Sequence, residues 1–312
     1  MKRALATTAI VILGGAGALA GCGDSTPTAT TEAAPATTGT TTSTGATATT
    51  GQADATAYVS KAFATLREQS YTSTGITEQE LDVSDLPAEI REEAQKQAEQ
   101  AGGTVKSSSR YESAERIAIT QEIGGNTQQI VFYDGTAYVS ADGTTWAEVT
   151  GEAAKAFSQA SSLARLDPTA LFTDITADGT GTVDGKAAQR FTAGINTAAA
   201  GDAVASVTGG LGELGSALGE AVKIDKGSAV LMVDDAVGAI SEMQISMQIA
   251  FDLGAIAAAS GEDAGDAAGM ALRIASTSTE TITDFGGDIT IEKPDATTTI
   301  STVVGLGEFL AG

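Results

Sequence analysis

The chain has 312 residues, with 40 acidic against 17 basic side chains, no histidine and a single cysteine, Cys22. These counts exclude a Ser-His-Asp or Cys-His triad, a His-ligated zinc, an imidazole proton relay and any disulfide within the chain. A formal charge of -23, without a Lys- or Arg-rich run, speaks against a nucleic-acid surface, where affinity comes from cations that displace phosphate counterions, and for an acidic extracytoplasmic protein.

Lys2 and Arg3 precede the mostly apolar run Ala4 to Ala20, which is rich in Ala and Gly and short of the about 20 residues that a membrane span takes. Residues 1–21 read as a signal peptide. Its end, Leu19-Ala20-Gly21-Cys22, resembles the lipobox of bacterial lipoproteins and predicts a diacylglyceryl group on the Cys22 thiol, followed by cleavage before that residue. Lys2-Arg3 is not a twin-arginine pair, so export through the general secretory route is expected. At about 0.8 kcal/mol per buried methylene, two or three acyl chains hold a protein stably on the outer face of the cell membrane. Residues 22–52 are Thr, Ala, Gly, Ser and Pro with almost no bulky apolar side chain. Such a composition cannot offset its ordering entropy and predicts a disordered tether.

The remaining chain suits one domain, residues 53–300, with a C-terminal tail at 301–312. Val59, Ala62, Phe63 and Leu66 recur at helical spacing and predict a helix from Ala53 to Gln69. A strand at Tyr71 to Asp82 follows, then a charged surface helix at Ala88 to Ala101 opened by Pro87. Strands are expected at Thr104 to Ser113, Glu115 to Ile123, Thr127 to Tyr133 and Thr136 to Ser140, joined by turns at Gly124-Gly125 and Asp134-Gly135, with a further turn toward Trp146. Helices are expected near Glu152 to Leu163 and from Asp167-Pro168, and strands at Ile175 to Val183 and Ala187 to Asn196. Ala198 to Val222 reads as a helix weakened by glycines. Met243, Ile245, Met247, Ile249 and Phe251 alternate with polar residues, the clearest strand in the chain. Beyond an insertion at Ser260 to Gly269, strands are expected at Ala271 to Asp284 and Asp288 to Glu292. Many hairpin-linked strands with a few helices predict a mainly antiparallel α+β domain.

Four segments carry a resemblance. They are Tyr133-Asp134-Gly135-Thr136-Ala137-Tyr138-Val139 with Trp146; Val183-Asp184-Gly185-Lys186 leading to Arg190-Phe191; Ala229-Val230-Leu231-Met232-Val233-Asp234; and Ile282-Thr283-Asp284-Phe285-Gly286 with Ile289, Ile291 and Pro294. In this order, behind a lipobox, the chain resembles the mycobacterial-type lipoproteins of LolA/LprG-like fold, with Met232 where that family usually has tryptophan. The resemblance implies a strongly curved antiparallel sheet wrapped as a half-barrel around helices, enclosing an apolar cavity for acyl chains. Met243, Ile245, Met247, Ile249, Phe251, Ile117, Ile119, Ile130, Phe132 and Phe191 have the character of such a lining, since flexible methionines and branched apolar side chains suit ligands of irregular shape.

Other motifs resolve into turn chemistry. Gly210 to Gly215 fits G-x-G-x-x-G with Asp234 about 20 residues on, yet no βαβ alternation follows. Asp178 to Gly185 and Asp234-Asp235 lack the spacing of a calcium loop and read as hairpin turns. No hydrolase signature is present. The expected protein is therefore not an enzyme and holds no metal or cofactor besides the covalent anchor on Cys22. It is a membrane-anchored binding lipoprotein for a lipid, glycolipid or other apolar molecule. The alternative is a structural or signalling lipoprotein of the same fold with a closed core, acting through contacts with a protein partner that the sequence does not identify.

Overall fold

The computed structural model describes residues 52–84, 86, 91–92, 103–151, 153–154, 168–201, 221–259 and 269–311. Among them, helix α1 (Gln52–Arg67) leads into β1 (Tyr71–Asp82), followed by β2 (Thr104–Ser113), β3 (Arg116–Ile123), β4 (Asn126–Tyr133), β5 (Thr136–Ser140) and β6 (Trp146–Val149). A short α2 (Pro168–Leu171) precedes β7 (Phe172–Val183), β8 (Lys186–Ile195), β9 (Val222–Asp234) and β10 (Ile240–Asp252). Then come α3 (Leu253–Ala259), β11 (Ala271–Thr283), β12 (Ala296–Ile300) and α4 (Val303–Ala311). The strands form one curved, unclosed 12-stranded sheet in the order β12-β6-β5-β4-β3-β2-β1-β11-β10-β9-β8-β7. Every pairing is antiparallel except that of β12 with β6. The expected fold class, a curved and mainly antiparallel sheet with helices, is the one observed.

Turn chemistry sets the register. Gly124-Gly125, Asp134-Gly135 and Asp184-Gly185 all have positive φ at both positions (58° and 85°, 48° and 82°, 48° and 76°), the mirror-image turn whose twist matches that of the flanking strands. Because side chains alternate along a strand, one register fixes two faces. On the inner face lies the main core, where Val59, Ala62, Phe63 and Leu66 of α1 meet Phe172, Ile175, Phe191, Leu231, Met243 and Ile245. Phe63 stacks on Phe172 at 6.0 Å and Tyr58 on Phe191 at 5.4 Å. A second inner cluster joins Ala137, Val139, Ala147, Val149 and Ile300 to Leu306, Phe309 and Leu310 of α4.

Several expectations are corrected here. Residues 288–292 form no strand: they belong to an extended strap, residues 284–295, that crosses the outer face from β11 toward β12. Its alternation is real but serves packing, since Ile289 and Ile291 lie against Val131, Tyr138 and Trp146. Ser70 Oγ donates to Gly287 O at 2.6 Å, and Ile291 N–H donates to Glu112 Oε2 at 2.8 Å. The other Glu112 oxygen accepts from Arg116, which also pairs with Asp134 and lies over the Tyr133 ring. Strand β9 starts at Val222, where a helix was expected to end and seven residues before Ala229. The stretch read as a C-terminal tail carries α4. Most of the expected helices at 88–101 and 152–163, the G-x-G-x-x-G at 210–215 and the insertion at 260–269 lie outside the described residues.

The strap gives a direct stability test. Ile291 is 2% exposed and Ile76, on the same sheet face, 50%. Ile291→Ala is expected to cost about 2–4 kcal/mol in denaturant unfolding, and Ile76→Ala less than about 0.5 kcal/mol. Equal effects would mean that the strap contributes no packing.

Candidate functional site

The ten residues expected to line a cavity all fall on the inner face. Ile117 opposes Phe132 and Ile119 opposes Ile130 across β3 and β4; Phe191 opposes Leu231, which opposes Met243 across β8, β9 and β10. Ile117, Phe191, Met243, Ile245, Ile249 and Phe251 are buried. Met247, Ile119, Ile130 and Phe132 are half-buried. The structure thus brings the ten onto one surface, with its β8 and β10 portion packed against α1 and its β4 portion meeting the α4 cluster.

Between these two apolar portions runs a polar band that the sequence did not reveal. Strand alternation and register put Ser73, Gly75 and Thr77 of β1 beside Ser107 and Ser109 of β2, and beside Ser276, Ser278 and Glu280 of β11, all facing inward. Ser73, Thr77, Ser276 and Glu280 are buried, whereas Ser107, Ser109 and Ser278 are half-buried. Ser73 Oγ donates to Glu280 Oε1 at 2.6 Å, and Ser73 Oγ and Ser109 Oγ are also 2.6 Å apart. With Glu280 ionised, the proton order is forced: Ser109 donates to Ser73, and Ser73 to the carboxylate. Glu280 Oε2 is buried without a hydrogen-bond partner. Burial pushes the Glu280 carboxyl up to about 7, against a smaller lowering by Ser73. The signal in the pattern of β11 is weak: Leu272, Ile274 and Ile282 share the parity of Glu280, but Ser276 and Ser278 interrupt that face and Thr277, Thr279 and Thr281 make the other polar as well.

The outer face carries a groove of about 920 Å³ between residues 290–295 of the strap and β1 to β4, lined largely by outward-facing Thr72, Thr74, Ser108, Arg110, Thr120 and Gln129. Ser73, Ser109 and Ile119, whose side chains belong to the inner face, also border it. The acidic turns are structural. Asp142 accepts from Thr144 N–H, Thr145 N–H and the Thr145 hydroxyl, bonds that hold its carboxyl far below the usual carboxylate range. Asp234 Oδ1 accepts from the backbone N–H of Ala236 and Val237 and closes the β9–β10 turn. Among the described residues no group of three or more His, Cys, Asp or Glu is placed to hold a metal, and no helix is long and apolar enough to cross a membrane. Cys22 lies outside the described residues.

The Glu280 carboxyl makes stability depend on pH with a definite sign. Its folded pKa, about 7, lies above the ordinary 4.5. Between those values the folded chain keeps a proton that the unfolded chain releases, so its contribution to stability is full at acid pH and is lost as pH rises through this window. A neutral Gln loses nothing. Raising the pH from 4.5 to 8 is therefore expected to favour Glu280→Gln over the parent by on the order of 3 kcal/mol in denaturant unfolding. Parallel pH profiles for the two proteins would contradict this.

No protein-family profile matches the chain, and no curated protein matches it. Solved structures to which it is similar include the lipoprotein LppX of Mycobacterium tuberculosis, at 11% identity over 76% of this chain and 98% of that one, with a TM-score of 0.42. LprF from Mycobacterium bovis is 12% identical over 78% of this chain and 96% of its own, with a TM-score of 0.37. MucB, solved in complex with MucA, is 12% identical over 78% of this chain and 58% of its own, with a TM-score of 0.33. At these identities the likeness is one of backbone course.

Proposed function

We propose that the protein is an extracytoplasmic lipoprotein, anchored through acyl chains on Cys22, that holds an acyl chain or another apolar molecule against the inner face of its sheet. It acts by binding, without catalysis. The observation that carries this reading is the convergence of ten apolar side chains from β3, β4, β8 and β10 on one surface, of which Met247, Ile119, Ile130 and Phe132 keep part of their area uncovered. Apolar surface held at the edge of a packed core is suited to an apolar ligand, and an unbranched methionine adapts to its shape. The second reading, a closed-core lipoprotein acting through protein contacts, is favoured by the Tyr58–Phe191 and Phe63–Phe172 stacks, which fill the inner face beside α1.

Two adjacent positions separate these readings. Met247 faces inward and Gln248 outward on β10. Met247→Glu is expected to abolish uptake of a fluorescent fatty acid while the chain stays folded by circular dichroism, and Gln248→Glu is expected to leave uptake within about twofold, because a charge must be desolvated only on the inner side. A wild-type chain that takes up no apolar probe would establish the closed-core reading instead.

The anchor has its own test. In a bacterial host, Cys22→Ala is expected to leave the protein uncleaved or released from membranes, since the thiol that takes the acyl group is gone. A variant still processed at residue 22 and firmly membrane-bound would remove the assignment.

A further inference from the structure

The polar band does not fit a surface that holds only hydrocarbon. It lies in the middle of the inner face, with Met243 beside Glu280 on β10 and Ile119 beside Ser109 on β3. A buried carboxyl with one unpartnered oxygen is costly to keep, and a leucine of similar volume would pack there without that cost. Resting on the reading above, we propose that this band is the subsite for the polar end of an amphiphile, and that Glu280 accepts a hydrogen bond there from a neutral, hydroxyl-bearing headgroup.

The donors and acceptors of the band define that chemistry. The Ser73 hydroxyl is committed to Glu280 Oε1, which leaves Oε2 to be met by a donor from outside the chain. Around it, half-buried Ser107 and Ser278 offer hydroxyl protons, Ser278 while accepting from Thr77, and Ser109, which donates to Ser73, still offers an acceptor, the mixture that a polyol requires. Gly75 sits between Glu280 and Ser107, and a Cβ there would come 2.5 Å from Ser107 Oγ, so the closeness of the band depends on a bare position. On either side, half-buried Met247 and Ile119 supply surface for the apolar part.

A free carboxylate is the wrong headgroup, since it brings no donor and meets Glu280 as a like charge. The groups that face Glu280 from neighbouring strands are Ser73 and Gly75 of β1, Met243 and Ile245 of β10, and Ser107, Ser109 and Tyr111 of β2. Tyr71 of β1 faces the same side. Of these only the two tyrosines carry an ionisable group. Asp54, Lys61 and Arg67 of α1, and Glu68 just beyond it, are not among the influences on its ionisation, which are burial and Ser73. Discrimination against carboxylates is therefore a property of Glu280 itself and weakens when it takes a proton.

The test uses the chain from Gly23 onward, freed of lipid, since every described element lies within residues 52–311. The neutral probe N-phenyl-1-naphthylamine is bound first and then displaced by monopalmitoylglycerol or by palmitate, amphiphiles with the same acyl chain. At pH 8.5 the wild type is expected to prefer monopalmitoylglycerol by at least about tenfold, one charge-assisted hydrogen bond's worth. Glu280→Gln, which keeps an acceptor and loses the charge, is expected to bring the two ligands within about threefold at pH 8.5, and the change in preference between pH 8.5 and 5.5 is expected to be smaller in it than in the wild type. Glu280→Leu, which loses the acceptor, is expected to weaken monopalmitoylglycerol about tenfold while leaving the probe unchanged. The result that overturns the proposal is a wild type that binds the probe without this preference, or a preference unchanged in variants shown by melting to be folded. If the variants do not fold, the wild-type preference alone decides. A wild type that binds no probe at all overturns the underlying ligand reading and the headgroup subsite with it.

Discussion

The pairing of β1 with β11 joins the two halves of the sheet and sets which of their side chains share a face. Strands β1 to β6 form one meander and β7 to β11 another, each held by pairing between strands that follow one another in the chain. Among the described residues, only the ladder from Thr72↔Thr283 to Asp82↔Arg273 joins the two into a single sheet. It sets which side chains of the first meander share a face with those of the second, because a slip of one residue would turn every side chain of one half to the opposite side. The strap begins where this ladder ends, tied to Ser70, and carries the chain across the outer face to place β12 beside β6. Shape and closure of the inner face are thus consequences of one long-range register.

The same seam carries the chemistry. Ser73 and Glu280 stand on its two strands, and their hydrogen bond is made only when the ladder is in register. Elsewhere on the inner face the strands present Ile, Phe, Met and Val, while the middle of the seam, between Tyr71 and Ile282 at one end and Leu81 and Ile274 at the other, presents Ser, Gly, Thr and one carboxyl. A polar seam between two apolar halves stabilises the sheet less than an apolar one would. That cost is offset if a ligand completes the hydrogen bonds that the fold leaves open, which joins the apolar surface and the orphaned Glu280 oxygen in one account.

How much of this was legible in the sequence follows from side-chain alternation. Where one face is apolar and the other polar, as at Met243 to Phe251, strand, face and burial were readable in advance. The four segments that carried the resemblance meet in pairs in the fold: Trp146 and Tyr138 pack with Ile289 and Ile291, and Val183 and Ala188 with Met232. Legibility failed where alternation was absent or served another purpose. Ile289 and Ile291 alternate as in a strand yet dock flat on the sheet, and β12, with three consecutive threonines, shows no apolar alternation. Leu306, Phe309 and Leu310 have helical spacing, but α4 is only 9 residues long and stands at the chain's end. Glu280 was overlooked because the residues nearest it on both faces of β11 are polar, although Leu272, Ile274 and Ile282 share its parity and mark its side as the buried one.

Whether the inner face holds an amphiphile is decided by mass spectrometry of organic extracts from the chain purified from its native envelope without detergent exchange. The account predicts one co-purifying amphiphile at about one equivalent per chain, with an acyl portion and a neutral hydroxylated headgroup, and its loss from Met247→Glu. A chain that yields no lipid from that source, and yields none after incubation with envelope lipids, would contradict it.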